Sequence, residues 1–271
     1  MSTNSSTTIA ATNPANGTLP NPIAGNNPIT GTTSSSNGSS GQAFKKSFEN
    51  FLTAARDNGM CYARTDPSES NGMDCVTSLW GFLKNYLTPE DFKKLEPHKP
   101  QAYVWKEVED MEKRIKGFSG AVEAAGLGEK SQRVNKDLVG SLIQQGDAAV
   151  KKALIGSIYT YSGKDGGHVS VVSDAWIEKG PNGTQTIKYK LIGAHKPELA
   201  VEGRGLGTHV TTFDLMQDTN PGENVTLTQL KPEVVAAAEA KAAKDPIKGN
   251  NSNTNAGLTA FKRLKGLLGV A

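Results

Sequence analysis

Apolar positions recur at two different spacings along this chain, first helical and then alternating. In "AFKKSFENFLTAARDNG", Phe44, Phe48, Phe51, Leu52 and Ala55 share one helical face, and Gly59 is placed to end the helix. A second helix is predicted after Asp74, with Val76, Leu79, Trp80, Leu83 and Leu87 as its apolar stripe. "QAYVWKEVEDMEKRIKGF" (101–118) places Val104, Val108, Met111 and Ile115 at helical spacing, with Glu and Lys on the other face. "NKDLVGSLIQQG" (135–146) reads as a fourth helix.

The period then changes. "LIGSIYTYS", "GHVSVVSDAWI", "TQTIKYKLIGA" and "THVTTFDL" are short β-branched and aromatic runs bounded by Gly, Asn and Pro. Asn182-Gly183, between the second and third runs, is a hairpin signal. Helices followed by an antiparallel sheet predict an α+β fold.

The ends of the chain differ in composition. Residues 1–42 carry no charge and are rich in Ser, Thr, Asn, Gly and Pro. Such a segment cannot bury enough surface to offset ordering entropy, so a disordered leader is expected. It has no basic start and no continuous apolar core of a Sec signal. A flexible linker and a leader for a specialised export machine both fit it. The expected folded domain is 43–230, followed by a helical extension over 231–271. That extension contains the Ala-rich stretch "KPEVVAAAEAKAAKDP" and a tail in which Leu258, Phe261, Leu264 and Leu268 oppose Lys262, Arg263 and Lys265. A basic amphipathic tail either lies on an anionic membrane or packs on its own domain.

Composition removes several function classes. A net charge of +3 over 271 residues is too mild to indicate nucleic acid. No apolar run is long enough for a membrane helix. The two cysteines make no disulfide framework and lack the C-x-x-C spacing of zinc sites, so neither a metal nor a cofactor is expected.

The candidate chemistry starts at Cys75, which follows Asp74 at a predicted helix start. The positive end of a helix dipole lowers a thiol pKa and makes a nucleophile. Asp74 is read as the helix N-cap. A base for Cys75 must come from four histidines. His98 lies between prolines in a loop, and His209 sits at a strand start. His168 opens a strand after Gly166-Gly167, and His195 lies in "LIGAHKPE". Asp174 and Asp165 compete with His195 as a third residue. Each candidate also has a structural alternative: Cys75 as a buried or Cys61-paired cysteine, the histidines as strand or loop residues, and Tyr62 as a core side chain.

The order of these motifs resembles the NlpC-type papain-like cell-wall cysteine peptidases and the related CHAP amidases. Tyr62 precedes "ARTDPSESNGMDC". "MDCVTSLW" stands where that family has Asp-Cys at a helix start, and "IGSIYTY" at the following strand. "GGHVSVVSD" resembles the Gly-His-Val strand, and "YKLIGAHKPELAVEG" the strand carrying the third polar residue. The likeness spans roughly residues 55–215. The chain departs from the pattern in lacking Trp-Gly-Gly after the tyrosine and in placing Val76-Thr77 after the cysteine. The span from Cys75 to His168 is also longer than that family's minimal core.

The resemblance implies a papain-like α+β fold, with the Cys75 helix packed on an antiparallel sheet. It implies Cys75 as nucleophile, His168 as base and His195 as the orienting residue. The Cys75 N–H, with Tyr62 as a second donor, would stabilise the oxyanion. The implied function is a peptidoglycan amidase or endopeptidase cutting a stem-peptide amide. The expected context is a secreted antibacterial toxin exported by a non-Sec route and acting in the target periplasm or cell wall. Expected partners are then the stem peptide, an immunity protein and a secretion-system component. Two alternatives stay open: a host-protein-directed cysteine protease or deamidase effector, and a non-catalytic papain-like binding module.

Overall fold

The computed structural model describes residues 36–62, 72–98, 111–163, 166–215 and 224–244. Four sequence expectations fall wholly or partly outside them: most of the 1–42 leader, the start of the helix over 101–118, Asp165, and the tail beyond residue 244.

The helices are α1 (Ser36–Asp57), α2 (Cys75–Tyr86), α3 (Pro89–Leu95), α4 (Met111–Ala124), α5 (Lys136–Gln145), α6 (Asp147–Leu154) and α7 (Pro232–Lys244). The strands are β1 (Cys61–Tyr62), β2 (Gly72–Met73), β3 (Gln132–Arg133), β4 (Ile158–Gly163), β5 (Gly166–Lys179), β6 (Gln185–Ala194), β7 (Leu206–Thr208), β8 (Phe213–Asp214) and β9 (Asn224–Thr228). β1 and β2 form a small parallel pair. The main antiparallel sheet runs β3-β9-β4-β5-β6-β7, with β8 also on β6. The fold is therefore α+β. None of these helices is long and apolar enough to cross a membrane.

Strand alternation divides the core between the two faces of this sheet. On one face Val169, Val171, Ile192, Ala194 and Leu206 pack with Phe44, Phe48, Leu52, Leu79, Phe82 and Leu83 of α1 and α2. On the other, Val172, Ala175, Ile187, Tyr189 and Leu191 pack with Val139, Leu142, Val150 and Leu154 of α5 and α6. The hairpin turn stands where Asn182-Gly183 predicts it. Gly180 N–H donates to Thr184 O at 2.8 Å, and Gly183 adopts φ +73°.

α1 starts at Ser36, seven residues earlier than the boundary drawn from composition. The reason lies in packing. Gly41 meets the turn at Ile155-Gly156, where a Cβ would fall on the Ile155 carbonyl. Within this charge-free stretch Gly41 lets α1 pass close to that turn, an approach that neither composition nor period reveals.

Candidate functional site

α2 begins on a complete capping box. Thr77 N–H donates to Asp74 Oδ1 at 2.7 Å, and Asp74 N–H donates to Thr77 Oγ1 at 2.8 Å. Asp74 is thus the N-cap expected from sequence, and Cys75 is the first residue of the helix. Packing then decides the state of the thiol. Cys75 is partly buried against the core shared by α1, α2 and the sheet. Burial pushes its pKa up to about 11, Asp74 adds to the rise, and the backbone N–H groups of Val169 and Val76 only partly oppose it. The helix dipole alone predicts an acidic thiol; desolvation outweighs it. Cys61 and Cys75 are both free thiols.

The contact at Val169 locates Cys75 beside the residue that follows His168. The imidazole itself points elsewhere. His168 Nε2 is hydrogen-bonded to Ser170 Oγ at 2.7 Å, which puts both side chains on one face of β5. Val169, between them, faces the core that holds Cys75. Alternation therefore sends the His168 ring to the face opposite the sulfur. No hydrogen bond joins Cys75 to His168.

His168 instead meets two other histidines. The register Val171↔Ile192, followed toward the start of β5, brings His168 level with His195 just beyond β6. Their ring centroids are 6.4 Å apart. His209, just after β7, is held by its N–H donating to Leu191 O at 2.8 Å. Its ring lies 5.9 Å from that of His168 and 3.6 Å from that of His195. One nitrogen from each of the three rings lies within 4.8 Å of the other two. His195 and His209 are only 3% and 5% exposed, yet among the described residues none hydrogen-bonds to any of their four ring nitrogens.

Burial keeps all three imidazoles neutral at neutral pH. Desolvation lowers the His168 pKa to about 4, helped by His209. It lowers His195 to about 3, helped by His209 and His168, and His209 to about 4. These rings are acceptors and metal ligands by type, but weak bases in this state. The cluster borders a cleft lined also by Tyr62, Lys196 and Leu199.

Glycine shapes the rim of this cleft. Gly205 adopts φ +73°, and a Cβ there would fall on the carbonyl oxygen of His195 and crowd the Cβ of Tyr62. That close approach lets His195 N–H donate to Gly205 O at 2.8 Å and Tyr62 N–H donate to Arg204 O at 2.8 Å. The tyrosine expected near the site is thus at its edge.

Of the competing third residues, His195 stands beside His168 and Asp174 does not. Asp174 lies six residues further along β5, about 20 Å at the rise of a strand. Its Oδ1 accepts from Ala175 N–H at 2.9 Å. His98 is exposed at the end of a short 3₁₀ turn. His209, read from sequence only as a strand-start residue, is the member that was missed. No local pattern links it to the others, because the three histidines come from separate strand ends and meet only when the sheet forms.

Neither a protein-family model, nor a curated protein, nor a solved structure matches this chain.

Proposed function

We propose that this protein is a cysteine-dependent amide hydrolase of papain-like design, acting on the stem peptide of peptidoglycan as an exported antibacterial toxin. One observation carries the reading. Cys75 opens a capped helix, with its sulfur at the backbone N–H of Val169, next along β5 from His168. His195, the third residue of the proposed set, stands beside His168.

On this reading the described geometry is a resting form. With the thiol pushed up to about 11 and the imidazole, on the other face of β5, down to about 4, the proton stays on sulfur. Catalysis on this reading requires the His168 side chain to leave Ser170 and cross to the face of β5 that holds the thiol, a change the β5 backbone at His168 would have to make. The thiolate then attacks the amide carbonyl, and His168 passes the proton to the leaving amine. Water hydrolyses the thioester and frees the acid. The Cys75 N–H, at the helix N-terminus, supports the oxyanion.

The same burial of the thiol favours a second reading, a non-catalytic papain-like binding module. One experiment separates them. Purified protein is incubated with peptidoglycan, and released fragments are identified by mass. The hydrolase reading expects fragments cut at a stem-peptide amide, and their loss in a folded Cys75→Ala variant. Binding to peptidoglycan without release supports the module. Release that persists in Cys75→Ala removes Cys75 from the chemistry.

A further inference from the structure

The four unpartnered nitrogens of His195 and His209 need an explanation that hydrolysis does not supply. A buried polar atom without a partner is costly because it has given up its bonds to water, and native structures keep few of them. Here four lie on two adjacent rings, which share a pocket with a third imidazole. Two of the rings lie with centroids 3.6 Å apart, tilted by 33°. Among the described residues the group contains no carboxylate and no thiol.

We propose that His168, His195 and His209 form a three-imidazole site for a late first-row divalent ion such as Zn²⁺, with the fourth position open to the cleft. The donor set fits the ion. Neutral imidazoles suit Zn²⁺, Ni²⁺ and Cu²⁺, and three protein ligands with one open position is a recurrent arrangement of zinc. Tetrahedral Zn–N bonds near 2.0–2.1 Å require nitrogens about 3.3 Å apart. The nitrogens already lie within 4.8 Å of one another, so binding would need them to draw together by about 1.5 Å at most. Ser170 Oγ on His168 Nε2 is the kind of outer partner that fixes a ligating ring. On the open side stand Tyr62, Lys196 and Leu199. Ligand spacing in sequence is 27 and 14 residues, from 195 − 168 and 209 − 195. No short motif therefore announces the site, and the expectation of no metal rested on cysteine spacing alone.

The inference does not depend on the hydrolase reading. It does bear on it, because a metal-held His168 is not free to serve Cys75.

The test uses the full chain, stripped with a chelator and titrated with ZnCl₂ by calorimetry and with CoCl₂ by visible absorption. Expected are one ion per chain, tetrahedral cobalt bands, and no sulfur-to-cobalt charge transfer. His209→Ala and His195→Ala should each weaken binding about 100-fold or more, since loss of an outer-shell partner alone costs 10–100-fold. His98→Ala, on the exposed turn, should bind as the parent does. If the site variants fail to fold, the parent's cobalt spectrum decides alone. Absence of saturable binding by the parent, octahedral bands only, a sulfur charge-transfer band, or unchanged affinity in folded His209→Ala and His195→Ala would each overturn the proposal.

Discussion

The rings of His195 and His209 lie with centroids 3.6 Å apart, tilted by 33°, and among the described residues no group hydrogen-bonds to their nitrogens. β7 and the turn before it bring this about. Gly205 lets the chain fold back onto His195, and four residues later His209 is held on Leu191.

Burial of these three imidazoles is expected to make the fold acid-sensitive. Each ring has a folded pKa below the ordinary histidine value of 6.5, so the unfolded chain binds more protons between the two values. Stability from the cluster is fully present above about pH 6.5 and is lost as pH falls toward 4 and 3. The loss is expected to be on the order of a few kcal/mol. Urea midpoints of the metal-free chain at pH 7.5 and pH 5 should differ clearly, and less so in His209→Gln. Equal pH dependence in parent and variant would contradict the assignment.

Cys75 titrates in the opposite range. Its folded pKa of about 11 lies above the ordinary thiol value of 9.0, so the unfolded chain ionises first. The contribution is intact below about pH 9 and falls as pH rises toward 11. Iodoacetamide should therefore label Cys75 slowly at pH 8 and much faster above pH 10, as read by peptide mass mapping. Rapid labelling at pH 7 would show an activated thiol and an already open site.

Gly205→Ala should destabilise the protein by roughly 1–3 kcal/mol, because the residue takes φ +73° and its new methyl meets the His195 carbonyl. The thermal midpoint reads the loss. An unchanged midpoint would mean that the turn over the cleft yields without cost.

The capping box of α2 should be worth about 1 kcal/mol. Asp74→Ala removes the acceptor for Thr77 N–H, and Thr77→Val removes the acceptor for Asp74 N–H. Because both act on one box, the double variant should cost less than the sum of the singles. Chemical denaturation of the three variants measures this, and strict additivity would argue that the bonds act separately.

Much of the architecture is legible in local pattern. The helix of Phe44, Phe48 and Leu52, the helix starting at Cys75, and the hairpin at Asn182-Gly183 each follow from period, capping or turn chemistry, which depend on neighbours within a few residues. Motif order also suggests that His168 and His195 lie near each other, and their ring centroids are 6.4 Å apart, without the hydrogen bond between them that the resemblance implies. Three matters were decided only by the tertiary structure. Strand alternation sends the His168 ring to the face away from Cys75, and this depends on which core claims Val169. Burial raises the Cys75 thiol against the pull of its own helix dipole, and burial is a property of the packed sheet. His209 joins the other two histidines because β7 returns beside β6, a contact that no spacing in the sequence encodes. Local pattern sets which residues form each element; which side chains then share a pocket, and in what protonation state, follows from long-range packing and the water it excludes.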